Sequence, residues 1–338
     1  MSTTIFSWNV RGLRSRAKRA AVQQVIRMHN PTIIILQESK MPVVTNSDIA
    51  DICGSRSMGW TYQPSHGASG GIIIIWKPSL VEVLSSLEGE FTLSIECRFI
   101  ADGFHFFLTG VYGPNKVAIR KYFWRELHYI RGLWEIPWVI EGDFNVIRRC
   151  EEKNGMERRT KSMKKFSSFI SIHSLIDLPL KGSKYTWTNG RAAPILSRID
   201  RILISPDFEA KYHFVSQLAK TRPASDHIPI ILDLADPSWG PYLFRMELMW
   251  FEHPDFMDSL KRWWSSFNFT GTPSSVMWNK LQALKTKLKE WNKVVFGRLD
   301  PIIEDCLQVI GDLDKAEAVT SSLDTDLFIK RAQAKVNF

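Results

Sequence analysis

The sequence predicts an α/β fold: two β-sheets packed as a sandwich, flanked by helices and followed by a C-terminal helical appendage. Three observations predict it. Short β-branched runs bounded by Gly, Pro, Asn or Ser recur through the first 235 residues. Stretches of helical period interrupt these runs. Near "DPSWGP" at 236–241 the pattern changes to helix alone, which divides the chain into an expected domain of residues 1–236 and a helical region of 237–338. A chain of 338 residues with 44% hydrophobic content can bury a core of that size.

Taken in order, the expected strands are "TIFSWNV", "PTIIILQESK", "SGGIIIIW", "FTLSIECRF", "FHFFLTGVYG", "PWVIEGDFN", "YTWTN", "SRIDRILIS", "FVSQLAK" and "IPIILDL". Helices are expected at 15–29, where Ala21, Val22, Val25, Ile26 and Met28 share a face, and at 116–133 and 162–175. Beyond 241, Leu281, Leu284, Leu288, Trp291 and Val295 step by three and four. Gly297 can end that helix, and Asp300 with Pro301 can start another over Ile302 to Leu313, giving a helical hairpin whose apolar stripe serves packing.

The formal charge of +9 is unevenly spread. Residues 240–338 hold 13 basic and 13 acidic side chains, so the excess, 31 basic against 22 acidic, lies wholly in residues 1–239. Residues 148–165, "RRCEEKNGMERRTKSMKK", carry eight basic groups against three acidic ones, among them Arg158, Arg159 and Lys161. A second run, Arg11, Arg14, Arg16, Lys18 and Arg19, contains no acid. Single-sign clusters are the footprint of phosphate binding, with a solvated charged face as the alternative. No run approaches the ~18 apolar residues of a membrane span. The start of the chain carries no secretory signal, which predicts an intracellular protein, nuclear or cytoplasmic. Cys53, Cys97, Cys150 and Cys306 are scattered, without the spacing of a zinc site.

The strand ends are where chemistry concentrates. "FSWN" ends in Asn9, "IIILQE" in Glu38, "TGVYGPN" in Tyr112 and Asn115, and "VIEGDFN" in Asp143 and Asn145; "YTW" holds Thr186, and "SRID" reaches Asp200. "SDHIPI" sets Asp226 and His227 immediately before an apolar strand. Ligands of α/β folds sit outside strand ends, so these carboxylates, carboxamides, phenol and imidazole form one candidate site.

The ordered motifs "SWNVRGL", "LQESK", "GVYGPN", "EGDFN", "YTW", "SRIDRIL" and "SDHIPI", over residues 3–234, resemble the endonuclease/exonuclease/phosphatase family, which includes DNase I and the AP endonucleases. Within that family the chain most resembles the endonuclease domain of LINE-type retrotransposons, above all plant elements. Its tail, "PYLFRMELMWFEHPDF", Trp263–Trp264 and "LKEWNKVVFG", resembles the connector that leads to a reverse transcriptase there. The resemblance implies a DNase I-like four-layer sandwich with the site at one edge. It implies Glu38 as the metal-binding carboxylate, with Asn9 and Asp226 close to the same Mg²⁺, for which Mn²⁺ can substitute. Asp143 is then the first choice for activating water. Asn145 and Tyr112 position phosphate, and His227 with Asp200 forms a phosphate-polarising dyad. Asn115 and Thr186 become DNA contacts, joined by Arg11, Arg14 and the basic run.

Two departures qualify the resemblance. The AP endonuclease branch has a carboxylate two residues after the first Asn, where this chain has Arg11, and a cation does not bind Mg²⁺. After residue 240 there is no Tyr-x-Asp-Asp of a polymerase, so the expectation is a nuclease with its connector but without the polymerase. The expected function is a Mg²⁺-dependent DNA endonuclease that nicks target DNA as in LINE retrotransposition, acting as a monomer. The alternatives are an inert or domesticated remnant that binds DNA or protein, and a phosphatase or phosphodiesterase on a small ester. Two basic clusters suit a polymer backbone better than a single phosphate, and no site side chain is lost.

Overall fold

In the computed structural model, which describes residues 3–67, 69–222, 224–234, 246, 248–295 and 307–314, the chain opens with a βαβ unit. Strand β1 (Thr4–Asn9) leads through α1 (Arg16–His29) to β2 (Ile33–Gln37), which pairs parallel to β1. Ser15 caps α1 by accepting from the Lys18 N–H, and Asn30 closes it in the left-handed conformation. There follow α2 (Asn46–Cys53), β3 (Gly59–His66), β4 (Ser69–Trp76), β5 (Val81–Glu88), β6 (Thr92–Phe99), β7 (His105–Tyr112), α3 (Arg120–Leu133) and β8 (Trp138–Asp143). The rest of this unit comprises α4 (Lys161–Ile172), β9 (Ile176–Asp177), β10 (Leu180–Lys181), β11 (Trp187–Thr188), β12 (Leu196–Ser197), β13 (Asp200–Ile204), α5 (Pro206–Lys211), β14 (Ser216–Ala219) and β15 (Ile230–Asp233).

Two large mixed sheets result. One has the order β10-β14-β15-β1-β2-β4-β3 and the other β5-β6-β7-β8-β13-β9, while β11 and β12 form a small ribbon. Alternation along the strands decides the layers, because successive side chains face opposite sides of a sheet. Ile5, Ile33, Ile35, Ile72 and Ile74 of the first sheet meet Ile95, Leu108, Val139 and Ile202 of the second in the central core. Phe6, Trp8, Ile34 and Leu36 face the other way, onto Val22, Val25 and Ile26 of α1 and Ile49 and Ile52 of α2. On the far side, Phe107, Trp138 and Ile140 pack against Phe123, Trp124 and Leu127 of α3 and Phe166 and Phe169 of α4. The architecture is therefore a four-layer α/β/β/α sandwich, the DNase I-like fold. Each such side chain taken from water contributes roughly 1.5–3 kcal/mol.

The described residues divide into two compact units, one holding those up to 234 together with 307–314, the other those between 246 and 295. The second contains α6 (Phe256–Ser266) and α7 (Pro273–Val295), packed through Trp250, Phe256 and Leu288 with Leu260, Trp263, Leu284 and Trp291. The expected stripe is thus partly used, since Leu281 is exposed. Residues 307–314 are helical. The expected junction at Gly297, Asp300 and Pro301 lies outside the described residues. Among those described, no helix is long and apolar enough to cross a membrane.

Candidate active site

Where the strands end depends on their direction, and here the sequence expectation is corrected. Asn9, Glu38, Tyr112 and Asp143 do stand at or just past the ends of β1, β2, β7 and β8. Asp200, in contrast, opens β13, which runs antiparallel to β8 with Asp200 opposite Asp143. His227 precedes β15, which runs antiparallel to β1. Strands leaving the site and strands entering it thus bring all six residues to the same end of both sheets.

Hydrogen bonds stitch the two sheets together at this end. The Asn9 Nδ2 donates to Asp143 Oδ2 across the sandwich at 3.0 Å. Asp143 also accepts from the Asn145 backbone N–H at 2.8 Å and from its Nδ2 at 3.1 Å. The His227 Nδ1 lies 3.0 Å from both oxygens of Asp200, and its Nε2 lies 3.8 Å from Asp143 Oδ2. A carboxylate only accepts, so Nδ1 carries the hydrogen that faces Asp200. The main chain on either side of the ring is also pinned. Trp8 Nε1 donates to the His227 carbonyl at 2.9 Å, and the Ser225 hydroxyl accepts from the His227 N–H while donating to the Asn9 carbonyl.

These groups are almost wholly buried, and that shapes their protonation. Burial alone would lower the affinity of His227 for a proton, but the carboxylates of Asp200 and Asp143 outweigh it and raise its pKa to about 9. Asp143 moves up from the ordinary carboxylate value, chiefly through burial. The His227 charge opposes this shift, the Asp200 charge adds to it, and the Asn145 and Asn9 hydrogen bonds resist it. Burial, then the charges of Glu38 and Asp143, push the Tyr112 phenol well up, so it stays a neutral donor.

The second half of the site is ionic. Arg11 Nη1 lies 3.0 Å from Asp226 Oδ2, and its Nε lies 3.8 Å from Glu38 Oε2. Lys40 Nζ lies 3.0 Å from Glu38 Oε1. Trp187 Nε1 donates to the same Asp226 oxygen at 3.0 Å. Arg11, Glu38, Lys40 and Asn145 all have φ between 51° and 56°, left-handed values that ordinary side chains adopt only under local constraint. Close approach also requires glycine: a Cβ on Gly142, at φ 141°, would stand 2.2 Å from the Val111 carbonyl oxygen, directly before Asp143.

Two groups of side chains offer ligands to a cation. Asp143, Asp200 and His227 bring ligand atoms within 4.8 Å of one another, so a site able to hold a metal exists there. A His that keeps its proton beside two carboxylates, however, makes this group better suited to sharing protons. Glu38 and Asp226 already converge on the positive charges of Arg11 and Lys40, and their hard oxygens match the preference of Mg²⁺. Asn9 serves mainly as a strut, with Oδ1 accepting from the Arg11 N–H at 3.1 Å and Nδ2 engaged by Asp143.

Most of the expected residues line one cleft of ≈ 680 Å³, namely Asn9, Arg11, Glu38, Tyr112, Asn115, Asp143, Asn145, Lys161 and His227. Thr186 is corrected: it is fully buried, and its Oγ1 accepts from the Ile199 and Asp200 N–H groups at 3.0 Å, so it sets the Asp200 backbone instead of touching DNA. Arg14 is exposed and donates to the carbonyls of Lys40 and Gly67. Arg158 and Arg159 are exposed outside the cleft lining. Sequence reasoning assigned no individual role to Lys40, Arg120, Lys153 or Trp187, although Lys40 lies in "LQESK", Trp187 in "YTW" and Lys153 in the basic run. Of these, Arg120, Lys153 and Trp187 line the cleft, and Arg120 donates to the Asn145 carbonyl at 2.6 Å. Nothing local marked Arg120.

A model of the "Endonuclease/Exonuclease/phosphatase family" matches residues 6–227. No curated protein matches the chain in sequence. Among solved structures, the AP endonuclease LMAP from Leishmania major is similar at TM-score 0.55 and 18% identity, over 70% of this chain and 88% of that one. The AP endonuclease from Archaeoglobus fulgidus gives 0.54 and 17%, over 68% and 98%. The endonuclease domain of TRAS1, a telomere-specific non-LTR retrotransposon, gives 0.53 and 15%, over 70% and 100%. At these identities the likeness is one of fold.

Proposed function

The chain belongs to the endonuclease/exonuclease/phosphatase family, and from that premise we propose that it is a divalent-metal-dependent endonuclease that nicks one strand of duplex DNA. The observation that carries the proposal is the buried Asp143–His227–Asp200 group at the end of both sheets, opening into a cleft rimmed by Arg11, Arg120, Lys153 and Lys161. An open groove lined by cations suits a polymer backbone. The similarity in fold to a retrotransposon endonuclease domain supports a role in target nicking, as in LINE retrotransposition.

Hydrolysis requires a water relieved of its proton, a stabilised phosphoryl group and a leaving oxygen. Asp143, held by Asn9 and Asn145, orients the attacking water and takes its proton. His227, protonated at both nitrogens, turns Nδ1–H to Asp200 and offers Nε2–H to a phosphoryl oxygen. Tyr112, kept neutral, and Asn145 position the phosphate. The new P–O bond forms as the P–O3′ bond breaks, and the departing O3′ takes a proton from solvent, leaving a 3′ hydroxyl and a 5′ phosphate. Glu38 and Asp226 would hold Mg²⁺, or Mn²⁺ in its place. Such an ion, when bound, neutralises charge on the phosphate and the leaving oxygen.

The test is conversion of supercoiled plasmid to open circles by the purified full chain. Nicking with Mg²⁺, none with EDTA, and a loss of roughly 10²- to 10⁴-fold in His227→Ala at unchanged circular dichroism are expected. Metal-independent cutting, or an active His227→Ala protein, would overturn the assignment. An intact plasmid together with rapid release of phosphate from a small ester would favour the phosphatase alternative.

A further inference from the structure

The metal locus proposed above is not bare, because a side chain of this protein spans it. We propose that Arg11 is a displaceable counter-ion: its guanidinium bridges Glu38 and Asp226 in the free protein and passes to a substrate phosphate when a divalent cation takes its place. Metal and DNA then bind cooperatively. The inference rests on the reading that Glu38 and Asp226 hold the ion.

Four features point this way. The bridge is specific, with Arg11 3.0 Å from Asp226 and 3.8 Å from Glu38, while Lys40 takes the other Glu38 oxygen at 3.0 Å. Its placement is built into the backbone: Arg11 sits at φ 54° between the Asn9 anchor, whose Oδ1 accepts the Arg11 N–H at 3.1 Å, and Gly12 at φ 110°. The side chain is also free to leave, since Arg11 is 46% exposed whereas Glu38, beneath it, is only 8% exposed. Finally, Arg11 lines the same cleft as Asp143, Asn145 and His227, so a phosphate bound there is within the guanidinium's surroundings.

The physical consequence follows from competition. Two unit cations already neutralise Glu38, and a divalent ion must displace at least Arg11 to reach both carboxylates. Metal affinity in the absence of DNA is thereby weakened. Phosphate offers the released guanidinium a bidentate acceptor, so each ligand lowers the cost of the other. Linkage makes this reciprocal: DNA tightens metal binding by the factor by which metal tightens DNA binding.

The experiment measures Mn²⁺ binding to the full chain without DNA, by electron paramagnetic resonance of the free ion. Arg11→Gln, which removes the charge but keeps a polar side chain, and Arg11→Ala are each expected to bind Mn²⁺ about tenfold or more tightly than the parent, as removal of a unit charge a few ångströms away implies. Arg11→Lys should stay near the parent. In a His227→Ala background that does not cut, a duplex oligonucleotide should tighten Mn²⁺ binding when Arg11 is present and lose most of that effect when it is Gln. Unchanged Mn²⁺ affinity in folded Arg11→Gln and Arg11→Ala proteins overturns the counter-ion role. Glu38→Gln separates the two readings: Mn²⁺ affinity unaltered there overturns Glu38 as a ligand and the inference with it, whereas its loss there leaves the Arg11 comparison decisive.

Discussion

His227 and Asp200 come from opposite sheets, and the imidazole Nδ1 of the one stands 3.0 Å from both carboxylate oxygens of the other. That pairing fixes the orientation of the ring and keeps it charged to about pH 9. On the proposed mechanism cleavage needs Asp143 ionised, so the rate falls as pH drops through its raised pKa. It needs His227 protonated, so the rate also falls as pH rises past about 9. A bell-shaped profile on the alkaline side of neutrality is expected. Asp200→Asn removes the largest charge that raises His227 and leaves burial, which lowers it. The alkaline limb of that variant should move down by at least about one pH unit. An unmoved limb in a pH–rate series would detach His227 from it.

Glu141 lies two residues before Asp143 on β8, is fully buried, and among the described residues has no hydrogen-bond partner on either carboxylate oxygen. Burial raises its pKa well above the ordinary value. The sign follows: below the unfolded value both states hold the proton and Glu141 costs nothing extra. As pH rises above it, the unfolded chain ionises and the folded one resists. Glu141→Gln should therefore match the parent in stability near pH 4. Above that it should gain on the parent by about 1.4 kcal/mol per pH unit until the folded carboxyl ionises. Urea unfolding at pH 4, 6 and 8 measures this, and a pH-independent difference would refute it.

The central strands were legible because each carries an unbroken apolar run: β2 and β8 are wholly buried, as are five consecutive residues of β4, and "IIILQ", "SGGIIIIW" and "PWVIEGDFN" show those runs. Strands β3 and β5 were not. Each is the outer strand of its sheet, β5 is largely exposed, and β3 carries Pro64, so neither needs an apolar run. The site's carboxylates and amides were legible as strand-end residues. Their mutual bonds were not, because Asn9 to Asp143 spans 134 positions and Trp187 to Asp226 spans 39. Strand direction, which makes Asp200 a first residue and not a last, is a property of the sheet that no local pattern carries.

Asp314 belongs to the short helix at 307–314 yet pairs with Arg222, with Nη2 to Oδ1 at 2.7 Å and Nε to Oδ2 at 3.0 Å. Arg222 in turn donates from Nη1 to the Asp226 carbonyl at 3.0 Å. Asp314→Ala leaves a nearly buried guanidinium with part of its partners gone. A loss of about 1–3 kcal/mol is expected for the unit that holds both residues. Its chemical denaturation midpoint should fall, and an unchanged midpoint would mean that the pair is not made in solution.

If the cleft takes duplex DNA as proposed, its basic residues predict where the duplex runs beyond it. Residues 148–165 leave Asp143 and Asn145 directly, and not all of their charge is available: Arg148 is tied to Asp177 at 3.0 Å. Lys153 and Lys161 line the cleft, and Arg158 and Arg159 stand exposed between them. If these cations neutralise phosphates, binding should weaken with salt at a log–log slope of about 0.9 per contact. Replacing Arg158, Arg159 and Lys161 together by Ala should flatten that slope by roughly two to three units, with the rate at saturating DNA nearly unchanged, because none of the three touches the Asp143–His227–Asp200 group. Fluorescence anisotropy of a labelled duplex across a salt series reads the slope, and single-turnover nicking reads the rate. A slope that stays put would move the duplex to the other basic run, where Arg11, Arg14 and Arg16 are exposed on the opposite side of Glu38 in sequence.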